Sequence, residues 1–133
     1  MDAALPLLVV DAANVVGSVP DGWWRDRKGA AQRLRDALVS VARGEGDRLP
    51  AALRGGPVEV VLVVEGAARG VLSVEGVRVV SAPGSGDDAI VDVVATQGGG
   101  RSCVVATADR ELSDRVRALG ATVLGPRTVH PKG

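Results

Sequence analysis

The segment Leu7-Leu8-Val9-Val10-Asp11-Ala12-Ala13-Asn14 runs four aliphatic residues directly into a carboxylate and, three residues later, an amide. An apolar run this continuous, with no polar alternation, suits a strand buried on both faces, the situation inside a parallel sheet. The pattern recurs outward from it. Residues 58–64, 77–80 and 103–106 form further Val-rich runs bounded by turn residues, with a weaker one at 122–124.

Between these runs the apolar period changes to that of a helix. Ala30, Leu34, Ala37, Leu38 and Val41 share one stripe of a helix expected over 27–41 and ending near Gly44. A second is expected over 87–97, with Ser85 as N-cap and acids in its first turn. A third is expected over 108–119, closed by Gly120. Residues 67–72 suggest a short helix, while 12–26 and 44–57 read as surface connections. Strands alternating with helices imply right-handed crossovers, hence a single-domain, doubly wound, mostly parallel α/β sheet with the first and fourth strands adjacent. One domain over 1–133 is expected, with its core at about 7–124 and residues 125–133 as a tail extending from it or fraying.

The bulk numbers fit such a domain. Of the 133 residues, 46% are hydrophobic, enough for a substantial core, and that core must be aliphatic because Trp23 and Trp24 are the only aromatics. Sixteen basic and sixteen acidic side chains cancel, so the net charge shows no nucleic-acid footprint, although local patches can hide in a balanced total. Cys103 stands alone in an apolar run. That excludes an internal disulfide or a cysteine zinc site and reads as a small buried hydrophobe. No run approaches a membrane span and no signal-peptide pattern opens the chain, so a cytoplasmic protein without membrane contact is expected.

In an open α/β sheet ligands bind beyond the carboxyl ends of the strands, so the polar residues that end the strands matter most. Asp11 follows the first run and Glu65 the second. Asp87 and Asp88 open the helix after the third, and Thr107 and Asp109 follow the fourth. Any one of these acids could be an ordinary turn former or cap. Together, four segments deliver carboxylates to one sheet edge. Carboxylates so gathered raise one another's pKa unless a cation intervenes, and an all-oxygen set selects Mg²⁺ or Mn²⁺. Such a metal can activate water and offset charge developing on a phosphodiester. Helical spacing turns Asp87 toward the sheet edge, sets Asp88 about 100° round at the rim, and leaves Asp92 on the solvated face.

These residues resemble a known family. Val9-Val10-Asp11-Ala12-Ala13-Asn14 looks like the opening motif of the NYN domains, a group of PIN-like metal-dependent ribonucleases. Gly86-Asp87-Asp88-Ala89-Ile90 is similar to the family's central Asp pair, and Ala106-Thr107-Ala108-Asp109 to its third motif, with order and spacing agreeing over about residues 7–124. The resemblance implies a divalent-metal-dependent ribonuclease of PIN-like fold, with Mg²⁺ or Mn²⁺ held by Asp11, Asp87, Asp88 and Asp109 and RNA as substrate. It also implies that Asn14 hydrogen-bonds near the site, holding Asp11 or a phosphate. Glu65 stands where some relatives carry Asp. A homo-oligomer or an RNA-processing partner protein is compatible with such a domain. The competing reading is a PIN-like module that binds RNA or protein without cutting.

Five basic residues are candidates for phosphate contact: Arg25, Arg27 and Lys28 near the Asp11 loop, and Arg69 and Arg110 just past strand ends. One tryptophan of the adjacent pair is expected to anchor its loop against the first long helix, leaving the other exposed to stack on a base. His130, beside Pro131, is expected to be exposed.

Overall fold

The structure, a computed structural model, describes residues 4–132; Gly133 of the expected tail and the first three residues lie outside the described residues. Five strands form one sheet: β1 Leu7–Asp11, β2 Glu59–Val64, β3 Val77–Ser81, β4 Cys103–Ala106 and β5 Thr122–Leu124. Their spatial order is β3-β2-β1-β4-β5 and every neighbouring pair is parallel. The expected fold class and the adjacency of β1 and β4 are therefore met. Strand order reverses between those two strands, which puts the switch point of the sheet between the ends of β1 and β4.

Strand alternation divides the core in two. Leu8, Val10, Val60, Leu62, Val64 and Val104 face one side, covered by α1 (Ala12–Val16) and α2 (Arg27–Ala42). Leu7, Val9, Val61, Val63 and Val105 face the other, covered by α3 (Gly86–Gln97) and α4 (Arg110–Ala118). All five residues of β1 are buried, which is why its sequence shows no polar alternation. In α2 the Asp26 side chain accepts the Gly29 N–H at 2.9 Å, capping the first turn. Leu34 and Leu38 then bury fully against the sheet, each contributing about 2 kcal/mol in apolar area removed from water. The chain leaves α2 through Gly44 at φ +80, where any side chain would run into the backbone of Gly56.

Several local expectations are corrected. Residues 12–26 are not all loop: α1 begins directly after β1 because Asp11 accepts from the Asn14 N–H and starts the turn. The connection at 44–57 is not purely surface, since Leu49 and Leu53 are buried in the core. Residues 67–72 make no α-helix; a single 3-10 turn, Gly66–Ala68, is all that forms, and the chain leaves it at Arg69, whose backbone is extended at ψ 147. The C-terminal segment does not project. Pro126–Thr128 forms a 3-10 turn, and Val129 and His130 tuck against the body of the fold. His130 is buried, not exposed: its Nδ1 accepts the Lys132 N–H at 2.9 Å, and burial pushes its pKa below the usual value. Cys103 is buried as expected. Among the described residues no helix is long and apolar enough to cross a membrane.

Candidate active site

The switch point carries the polar residues. Asp11 ends β1 and is only 7% exposed, though ionisable. Burial drives its pKa from 3.8 to about 6; hydrogen bonds from Thr107 and the Asn14 backbone oppose the rise, and the charges of Asp87 and Glu65 add to it. Its two oxygens are separately held. Oδ1 accepts the Asn14 N–H at 3.4 Å, and Oδ2 accepts the Thr107 hydroxyl at 3.0 Å.

Thr107 follows β4 and is itself buried. Its Oγ1 also accepts the Asp109 N–H at 3.1 Å, and Asp109 Oδ1 accepts the Leu112 N–H at 2.8 Å as the N-cap of α4. One Asp109 oxygen is thus spent on the helix and the other is left for a ligand. Asn14 does not reach for Asp11 with its side chain. Its Oδ1 accepts the Ala108 N–H at 2.9 Å, which ties the first turn of α1 to the loop after β4. The strand-end segments of β1 and β4 are in this way clasped by two side-chain hydrogen bonds.

The neighbouring strand contributes Glu65, whose Oε2 accepts the Gly86 N–H at the start of α3. A Cβ at position 86 would displace the end of that side chain, so glycine lets the Glu65 carboxylate reach the helix N-terminus. Glu65 therefore places the N-terminus of α3, and with it Asp87, beside β1. Asp87 is half-buried, and its pKa is raised by burial first and then by Asp109 and Glu65, with Arg115 pulling the other way. Asp11 and Asp87 each respond to the charge of Glu65, so three strand ends feed one electrostatic cluster.

Other expected site residues sit differently. Asp88 is exposed and pairs with Arg115 of α4 at 3.1 Å. Asp92 lies on the exposed face of α3. Arg69 is engaged: its guanidinium donates to the carbonyls of Ala82 at 2.8 Å and Pro83 at 3.3 Å, bracing the loop before α3. Arg25, Lys28 and Arg110 are exposed with side chains open to solvent. Trp23 packs half-buried against the core while Trp24 is 50% exposed, so the pair divides as expected. Nothing in the sequence marked Arg115 as a neighbour of these groups. Its placement depends on how α3 and α4 dock.

Whether a divalent ion suits this donor set can be judged from its chemistry. Among the described residues no group of three or more His, Cys, Asp and Glu side chains stands close enough to hold a metal ion. Mg²⁺ needs no such group, since it binds through one or two carboxylates and keeps several waters. Two carboxylates whose proton affinity is raised by burial and by neighbouring acids, with hydrogen bonds fixing one of them, fit that mode of binding.

No family model matches the sequence, and no curated protein matches it. Among solved structures the chain is similar to Rae1 (YacP) from Bacillus subtilis, crystallised as a point mutant, with a TM-score of 0.69 and 17% identity over 93% of this chain and 72% of that one. At that identity the likeness is one of fold: an open α/β sheet whose chemistry must be read from this chain's own side chains.

Proposed function

We propose that this chain is a divalent-metal-dependent ribonuclease of the NYN type, acting on RNA at the ends of β1 and β4. The observation that carries the reading is Asp11: buried at the switch point, fixed through both oxygens, and within the field of Asp87 and Glu65. Burying a carboxylate costs free energy unless its charge is used, and structures rarely gather several without a cation or a proton to share. The resemblance of the three motifs supplies the reaction class, and the shared α/β fold agrees with a site at this edge.

Asp11 and Asp87 would hold Mg²⁺ or Mn²⁺ directly, with Asp109 and Asp88 reaching it through water. When bound, the ion would offset the negative charge that grows on the phosphodiester. Asp11, buried and fixed through both oxygens, would present its charge to the ion from a rigid position. Thr107 and Asn14 act at one remove: they hold the β1 and β4 ends together so that Asp11 and Asp109 face the same phosphate. Arg25, Lys28 and Arg110 are free to meet phosphates on either side, whereas Arg69 is occupied by backbone carbonyls.

The test is cleavage of labelled single-stranded RNA with Mn²⁺ or Mg²⁺, with Asp11→Asn as the control for contaminating nuclease. Metal-dependent cleavage by wild type that is lost in the control supports the proposal. Activity that persists undiminished in the control belongs to another protein. A second reading, an RNA- or protein-binding module that does not cut, is favoured by one observation: Asp109 also serves as a helix cap. That reading predicts no cleavage, with binding that survives Asp109→Asn.

A further inference from the structure

Beside the acid cluster the surface opens into a cleft of about 180 Å³. Its floor is the first turn of α1, beginning at Ala12, the residue after Asp11. Trp23 and Arg27 form one wall, and the Glu65–Ala68 turn forms the other. We propose that this cleft binds one unpaired nucleobase of the RNA, next to the phosphate handled by the acids. The inference rests on the ribonuclease reading of the neighbouring site and adds to it the subsite that grips the strand.

Four features carry it. First, the cleft is adjacent to the cluster through two residues, since Ala12 follows Asp11 and Glu65 belongs to both. A nucleotide seated here places its own phosphate at the strand ends. Second, the walls suit a flat ring. Trp23 carries the Arg27 guanidinium over its ring, 5.2 Å from the centroid, and meets Trp24 edge-to-face at 5.9 Å, so a base would stack on the guanidinium and on what these neighbours leave of the indole. Unstacked RNA bases are held by stacking on aromatic rings and on guanidinium planes. Third, the space is bordered by side chains too small to fill it, above all Ala12, Ala67 and Ala68, and Trp23 beside it is only partly buried. Its volume is below the roughly 300–1,000 Å³ of sites for larger ligands and matches a single small ring system. Fourth, Glu65 brings an acceptor to an otherwise mostly apolar cleft, with only Oε2 taken by Gly86 N–H, so Oε1 can receive an N–H from a base edge.

A second cleft lacks these features. It is lined by Asp21, Arg33, His130 and Lys132 and lies against the docked C-terminal segment, and neither tryptophan lines it.

The experiment uses tryptophan emission. In Trp24→Phe the sole remaining indole is Trp23, and the full chain is titrated with each of the four ribonucleoside 5′-monophosphates, with ribose 5-phosphate as the baseless control. Saturable quenching by the monophosphates and none by ribose 5-phosphate is expected. Ala67→Leu, which fills the cleft from an exposed position, should weaken that binding about tenfold or more. In cleavage assays the same substitution should raise KM while leaving kcat within a few-fold. No quenching by any monophosphate up to the millimolar range, or equal quenching by ribose 5-phosphate, overturns the assignment. Binding is read without catalysis, so wild-type protein that binds monophosphates but never cleaves RNA would sink the ribonuclease reading and leave the base site standing.

Discussion

Thr107 donates its hydroxyl to Asp11 Oδ2 at 3.0 Å while accepting the Asp109 N–H at 3.1 Å, so one buried side chain links the acids that end β1 and β4. The link predicts a phenotype for Thr107→Val, which keeps the shape and deletes the hydroxyl. Asp11 loses a bond that favours its charged form, so its pKa should climb further above 6. The acid limb of the pH–rate profile should move to higher pH, and the rate near neutrality should fall by about tenfold, equivalent to 1.4 kcal/mol. Thr107→Ser, which keeps the hydroxyl, should restore the wild-type profile. A Val variant with an unmoved acid limb would show that the hydroxyl does not tune Asp11.

The raised pKa of Asp11 also makes stability depend on pH, and its sign follows from linkage. A carboxyl with a pKa of 3.8 when unfolded and about 6 when folded binds its proton more tightly in the native state. Its contribution is fully present below about pH 4 and is lost as pH rises through about 6, up to roughly 3 kcal/mol in all. Asp11→Asn removes this titration and, as asparagine caps helices as well as aspartate does, keeps the start of α1. In metal-free buffer the melting temperature of the variant minus that of wild type should therefore grow between about pH 4 and pH 7. A difference that stays flat over that interval would mean Asp11 titrates as an ordinary surface acid.

Gly86 and Glu65 supply a third test. Alanine in a helix is ordinarily favoured over glycine by about 1 kcal/mol. Here the added methyl would displace the Glu65 carboxylate from the Gly86 N–H, so Gly86→Ala should fall short of that gain and stay close to neutral in urea unfolding. In a Glu65→Ala background, with no carboxylate to displace, the same substitution should show the full gain. Additive behaviour of the two changes would show that they do not meet.

The sheet is legible in the sequence because its central strands are buried on both faces, a condition that writes itself as uninterrupted aliphatic runs. The acids are legible for a related reason, since each stands at a fixed offset from such a run. Partnership is what the sequence hides. Asn14 is paired with Ala108 and Thr107 with Asp11 across 94 and 96 residues, and no local pattern encodes such pairings. Arg69 has the marks of a phosphate ligand, being charged and near a strand end, yet its guanidinium is taken by the loop carbonyls of Ala82 and Pro83. His130 departs from expectation because a polar residue beside proline near a terminus is usually solvated; tertiary docking beside Val129 overrides that tendency.

Metal should act on stability through the same cluster. A cation that binds only the native state stabilises by RT ln(1 + [L]/Kd), about 2.7 kcal/mol at a hundredfold excess over Kd. Millimolar Mn²⁺ or Mg²⁺ should therefore raise the melting temperature of wild type. Asp87→Asn should abolish the shift and raise metal-free stability, because it relieves the repulsion from Asp109 and Glu65 that lifts the Asp87 pKa. Identical metal titrations for the two proteins would count against a site there.

Catalysis gives the most demanding test, because groups that act as a unit lose their effect together. If Asp11 and Asp109 jointly position metal and water, either asparagine substitution should remove nearly all metal-dependent cleavage, and the double variant should be little worse. Asparagine suits both positions structurally, since each acid caps a helix through a single oxygen, so loss of activity would not reflect loss of fold. Asp92→Asn, on the exposed face of α3, should stay within a few-fold of wild type. Arg25→Ala and Lys28→Ala should weaken RNA binding, and each should lower the slope of log K against log salt by about 0.7 if its side chain neutralises one phosphate of a single strand. Independent, additive losses at Asp11 and Asp109 would mean that the two acids serve separate roles, and the shared-metal proposal would fail on that result alone.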